Sequence, residues 1–111
     1  MKTKQEIENQ IVQSVKDWNR KTEGMPTTRK VAKKLGMKAP ELYKLLRQRG
    51  VLTVDDMGYW FCGRYKDMKL ALMRQFLYYN DEGELSIKQY PVWTERGLKF
   101  LKQIANEQRG N

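Results

Sequence analysis

Ile7, Ile11, Val15 and Trp18 step along the chain by four, four and three residues, with Lys, Glu, Gln and Asn filling the positions between them. That spacing makes one apolar stripe on a helix and predicts an amphipathic helix over residues 4–22. Its stripe is expected to face the core, with Ile7, at the exposed end, offering a homodimer contact. Gly24 ends this helix and Met25-Pro26 turns the chain. Thr27 or Thr28 is then placed to cap a second helix by accepting a hydrogen bond from a free backbone N–H. Val31, Ala32 and Leu35 form a short buried stripe up to Gly36.

Gly36 can take the positive φ that stops a helix, Pro40 suits the first turn of the next, and Gly50 offers a second stop. Leu42, Leu45 and Leu46 share one face of that helix, while Lys38, Glu41, Lys44, Arg47 and Gln48 cluster on the other, with Tyr43 at the flank. After Gly50 the pattern changes. Aromatic and β-branched residues broken by Asp-Asp, Gly58, Gly63 and Asn80-Asp81-Glu82-Gly83 predict β structure over 51–93. The best hairpin pairs Met73 to Tyr79 with Glu84 to Trp93, and residues 67–75 fit a helical turn about as well. Thr94 caps a final helix over 94–106, whose stripe is Leu98, Leu101, Ile104 and Ala105, and residues 107–111 are expected to fray.

Composition narrows the chemistry. The 111 residues contain no histidine and one cysteine, Cys62, so disulfides, the usual metal spacings and His-based acid–base catalysis are absent. No enzyme, cofactor or metal is expected. No apolar run is long enough to span a bilayer and the N-terminus lacks a signal-peptide stretch, so a cytoplasmic protein without membrane contact is expected. Net charge is +9, and between Arg29 and Arg49 eight cations stand against Glu41 alone. An excess of seven on two short helices is an electrostatic footprint for a polyanion.

The segment VAKKLGM followed by a helix has the order of a helix-turn-helix unit, here 27–49: small Ala32 where the helices cross, Gly36 in the turn, Met37 pointing back to the core. The second helix, roughly 40–49, would present Lys38, Tyr43, Lys44, Arg47 and Gln48 to a major groove, which admits one α-helix. Arg29, Lys30, Lys33 and Lys34 suit phosphates, whose neutralisation releases counterions. Arg47 can pair with guanine and Gln48 with adenine, or either can touch phosphate. A helical hairpin with a merely solubilising basic face would show the same spacing; its coincidence with the charge block favours DNA.

A hairpin beside the helix pair and a returning helix complete a winged-helix layout. The fold class expected is therefore α+β: a single domain, 1–111, with a helix-turn-helix core, an N-terminal helix, a wing-like β-hairpin and a C-terminal helix. The hairpin tip carries Asp81, Glu82 and Glu84, which repel phosphate, so wing contacts fall to Arg64, Lys66 and Lys69, unless these are only a solvated edge. Tyr59, Trp60, Phe61, Tyr65, Phe76, Tyr78 and Tyr79 read mostly as core rather than as a platform for unpaired bases.

VAKKLGM with PELYKLLRQRGVL, and later YPVWTERGLKFLKQI, resemble the KilAC domain, the C-terminal module of phage antirepressor proteins. Leu46, Arg47, Gly50, Leu52, Thr94 and Gly97 match its pattern, over residues 26–105. Between the two blocks the family's polar and aromatic run is replaced by GRYKDMKLALMRQFLYY. The resemblance implies a phage or prophage regulatory module with a helix-turn-helix core that grips DNA or another protein. Two readings follow: a double-stranded-DNA-binding regulator, or an adaptor that binds an acidic protein such as a repressor through the same basic surface.

Overall fold

In the computed structural model, which describes residues 1–110, the two central helices end by the same device. The helix α2 (Thr28–Lys34) stops at Gly36, φ 72°, and α3 (Ala39–Gln48) at Gly50, φ 73°. In each, two backbone N–H groups reach back: Gly36 to Lys33 O and Met37 to Ala32 O, then Gly50 to Arg47 O and Val51 to Leu46 O. The last carbonyls of each helix are thus satisfied, and an apolar residue, Met37 or Val51, turns inward just past the stop. Thr27 caps α2 by accepting from Lys30 N at 3.3 Å. Thr28 is buried instead, and its hydroxyl accepts a hydrogen bond from the Trp93 indole at 2.9 Å.

The remaining elements are α1 (Lys4–Asn19), β1 (Leu52–Asp55), β2 (Gly58–Phe61), β3 (Ala71–Tyr79), β4 (Leu85–Trp93) and α4 (Glu95–Arg109), with short 3₁₀ turns at Arg20–Thr22 and Gly63–Asp67. The architecture is α+β. Four strands form one sheet in the order β1-β2-β4-β3; β1–β2 and β3–β4 are antiparallel hairpins, and β2 meets β4 in parallel at Gly58 and Gln89. The β3–β4 ribbon pairs in unbroken register from Ala71–Trp93 to Tyr79–Leu85. The Asn80 side chain closes its turn by accepting from the backbone N–H of Glu82 and Glu84. With α1 alongside, this ribbon draws the molecule out to 60 × 27 × 26 Å.

The core lies at the other end, where Val31, Ala32, Leu42, Leu45, Leu46, Val51, Leu52, Leu70, Trp93, Leu101 and Ile104 form one buried cluster. Trp93 is its hub, with the Phe61 ring edge-on at 5.9 Å. Thr94 caps α4, and its hydroxyl lies 2.8 and 2.9 Å from the carbonyls of Lys69 and Leu70, which locks the start of α4 to the strand below.

Several expectations are corrected. Of the α1 stripe only Val15 is buried; Ile7 and Trp18 keep 48% and 46% of their surface. A two-stranded ribbon is too narrow to cover a whole helix stripe. Instead α1 seals the free edge of β3: the Trp18 indole donates to Met73 O, while the Asn19 amide donates to Gln75 O and accepts from Gln75 N. An unpaired strand edge invites foreign strands, and side chains here take the place of a fifth strand.

No helical turn runs through residues 67–75: the 3₁₀ turn ends at Asp67, Lys69 takes φ 54° and β3 begins at Ala71. The helix α4 continues to Arg109, beyond the expected end at 106, and Arg49 holds Glu107 at 2.7 Å on its extra turn. Few of the aromatics are core. Trp60, Phe76 and Tyr79 are exposed, Tyr78 is half-buried, and Tyr59, Phe61 and Tyr65 pack on the core only in part.

Candidate nucleic-acid interface

Burial of Val31 and Ala32 on α2, and of Leu42, Leu45 and Leu46 on α3, fixes which way the rest of each helix points. At about 100° per residue, the positions opposite these are Arg29, Lys30, Lys33 and Lys34 on α2, and Lys44 and Arg47 on α3. All six are exposed, as are Lys38 in the turn and Gln48 on the next turn of α3. Among the described residues the ion pairs are Arg20–Asp17 and Arg49–Glu107. Seven cations of the charge block are therefore uncompensated by any carboxylate, and only Arg49 is neutralised.

Tyr43 has a different setting from the residues expected beside it. Its ring stacks on Tyr59 of β2, centroids 4.1 Å apart and planes 9° from parallel, and so braces α3 against the sheet. Burial pushes its phenol up to about 12 from 10.0, with Tyr59 and Tyr90 adding to the shift and the Thr28 hydroxyl opposing it. Because the unfolded phenol ionises first, the unfolded chain gains relative to the folded one as pH rises from about 10 to about 12. The ionisation of Tyr43 is expected to add no pH dependence to stability below that window and to lower stability within it. A Tyr43→Phe variant should flatten the decline in denaturant midpoints measured across the window.

The expected wing contacts are not on a hairpin. Arg64 and Lys66 lie on the 3₁₀ turn Gly63–Asp67 and Lys69 just beyond it. That segment rests on the first half of α4, through Tyr65 against Phe100 at 5.8 Å and Arg96 against Met68 O. The basic helices meet the other end of α4, where the Arg109 guanidinium comes within 3.1 Å of the point at which a side chain on Gly36 would begin. Phe100 and Arg109 lie nine residues apart on α4, about 14 Å along its axis, so Arg64 and Lys66, either side of Tyr65, are set off from the α2–α3 turn.

The hairpin that directly follows α3 is β1–β2, and its turn is acidic. Asp55 accepts from Met57 N and from the Trp60 indole, both at 2.8 Å. Sequence reasoning missed the end of α4 as well. Gln108 lines a shallow groove with Met37, Glu41, Lys44 and Gln48, and Arg109 borders the α2–α3 turn. The signal was the apolar spacing of Leu101, Ile104 and Ala105, which carries the helix on toward Gln108.

Among the described residues no group of three His, Cys, Asp or Glu side chains stands ready to hold a metal, and no helix is long and apolar enough to cross a membrane. What the α2–α3 surface offers is exposed cationic donors on two consecutive helices. No curated protein and no solved structure matches the chain. The model of the phage antirepressor protein KilAC domain matches residues 9–108, which takes in most of α1 and all the other elements except the last residue of α4. The chain belongs to the KilAC domain family of phage antirepressor proteins.

Proposed function

We propose that α2 and α3 form a helix-turn-helix, that β1–β2 occupies the wing position after it, and that the protein is a phage regulatory protein docking α3 in the major groove of double-stranded DNA. The observation that carries this reading is the set of seven exposed cations without ion pairs on two adjoining helices. On this reading Arg29, Lys30, Lys33 and Lys34 neutralise phosphates, and Lys38, Lys44, Arg47 and Gln48 enter the groove. Arg109 extends the phosphate-facing surface past the turn. The acidic tip at Asp55 and Asp56 keeps the wing off the backbone, so the helices carry the contacts. The role is binding and not catalysis.

The family's name supports a second reading, in which the same cations grip an acidic protein such as a repressor. A salt titration of binding to random and to candidate operator duplexes separates the two. Each neutralised phosphate contributes about −0.9 to the slope of log K against log salt, so seven contacts set a ceiling of about −6. A slope of about −4 to −6, with tighter binding to one duplex, is expected. A slope near −1 with no preference among duplexes overturns the DNA reading.

A further inference from the structure

The β3–β4 ribbon has one face against α1 and another whose outer half has no partner among the described residues. Strand alternation puts Leu85 and Ile87 on the α1 side, where Leu85 shares a shallow groove with Ile7 and Ile11. Ser86, Lys88 and Tyr90 then point the other way, together with the cross-strand neighbours Tyr78 and Phe76, whereas Arg74, opposite Tyr90, is held at the base of the ribbon by Asn19 O and the Thr22 hydroxyl. The rings confirm the shared face: Phe76 is 5.7 Å from Tyr90 and 6.1 Å from Tyr78. Phe76 nevertheless keeps 42% of its surface in contact with solvent.

Toward the tip this aromatic face opens into a cleft of about 490 Å³ between the two hairpin turns, lined by Tyr78, Lys88, Asp56, Asp81 and Glu82 among others. None of the three carboxylates forms an ion pair within the described residues. The Lys88 ammonium rests 4.9 Å from the centre of the Tyr78 ring, a cation–π contact within the chain whose place an incoming guanidinium would take, while the Phe76 ring beside it carries no cation among the described residues. The sign of the charge here is opposite to that of α2–α3. A phosphate chain is repelled by the rim, whereas a guanidinium both stacks on an aromatic ring and pairs with a carboxylate. Exposed ion pairs alone bind weakly, and the aromatic floor supplies what they lack.

We infer that this ribbon face and its acidic cleft dock a basic, arginine-rich segment of a partner protein. The inference is independent of the DNA reading, since it uses no residue of α2 or α3. The test is a titration of the whole chain with an octa-arginine peptide at about 0.1 M salt, where charges interact only over about 10 Å, followed by backbone and aromatic NMR shifts. Shifts confined to Phe76, Tyr78, Asp81, Glu82, Lys88 and Asp56 are expected. Affinity should fall about tenfold in an Asp56→Asn/Asp81→Asn/Glu82→Gln variant, and also in Phe76→Ala, which leaves the rim intact. Shifts scattered over the other carboxylates, undiminished binding by the rim variant, or stronger binding of single-stranded DNA than of the peptide on this face would each overturn the assignment.

Discussion

The double variant Lys44→Glu/Arg47→Glu is expected to lose duplex binding while unfolding close to the parent's temperature. Neither side chain has a hydrogen-bond or ion-pair partner among the described residues, and both stand on the face of α3 away from Leu42, Leu45 and Leu46. Surface replacements of this kind shift stability by roughly 0.5 kcal/mol or less. An acid at position 47, in the last turn, adds about 0.3–1 kcal/mol through the helix dipole. Against that, each lost contact to DNA costs about 1–3 kcal/mol, and two new anions facing phosphate add repulsion. The combined loss of at least about 2–6 kcal/mol weakens binding by roughly thirtyfold to more than ten-thousandfold. The salt slope should become shallower by about 2.

A matched control removes the objection that any change in net charge would do the same. Arg64→Glu/Lys66→Glu reverses two exposed cations on the turn over the first half of α4, outside the α2–α3 surface. Binding by this control should stay within a few-fold of the parent. Equal loss in both double variants, read by fluorescence anisotropy with one labelled duplex, would show that attraction to DNA is diffuse and that α3 has no special part. Parent-like binding by the Lys44/Arg47 variant would end the proposal.

What could be read from the residues in order was what local chemistry decides. Thr94 and the Thr27-Thr28 pair marked helix starts, Gly36 and Gly50 marked stops, and Asn80 to Gly83 marked the long hairpin's turn, because caps and turns are settled by side chains within a few residues. The direction of the cations on α2 and α3 followed as well, since the buried leucines leave a short helix no choice of outward face. What escaped was every question about which surface covers which. The α1 stripe reads as core in sequence, yet it meets only a ribbon two strands wide. Phe76 and Tyr78 read as core, yet α1 takes the other side of the ribbon, and Tyr79, on the α1 side, reaches only the Glu8 carboxylate. Asp55 to Gly58 showed as a break in the pattern, but its role as the turn of a four-residue hairpin depends on Gly58 meeting Gln89, thirty-one positions away. Arg64, Lys66 and Lys69 read in sequence either as wing contacts or as a solvated edge, and the chain lays their segment on α4.

Gly97 shows the same difference with the largest consequence for stability. In sequence it is a weak point in the first turn of α4, since glycine costs a helix interior about 1 kcal/mol relative to alanine. Substitution by alanine would then stabilise. In the fold the opposite is expected: a Cβ at this position collides with the carbonyl oxygen of Leu70 and comes within 2.9 Å of the Trp93 ring. The oxygen belongs to backbone that Thr94 also holds, and Trp93 is wedged between Phe61 and its bond to Thr28, so neither can yield cheaply. The helix must lift instead, opening space under Leu101 and Ile104. Overpacking of a tight contact costs about 1–3 kcal/mol and more where backbone is struck, so the propensity gain is outweighed and Gly97→Ala should lose about 2 kcal/mol net. For a domain of this size that is a fall of roughly 8–16 °C in Tm, measured by differential scanning calorimetry beside the parent. An unchanged or higher Tm would mean that α4 does not approach β3 and β4 as closely as Gly97 permits.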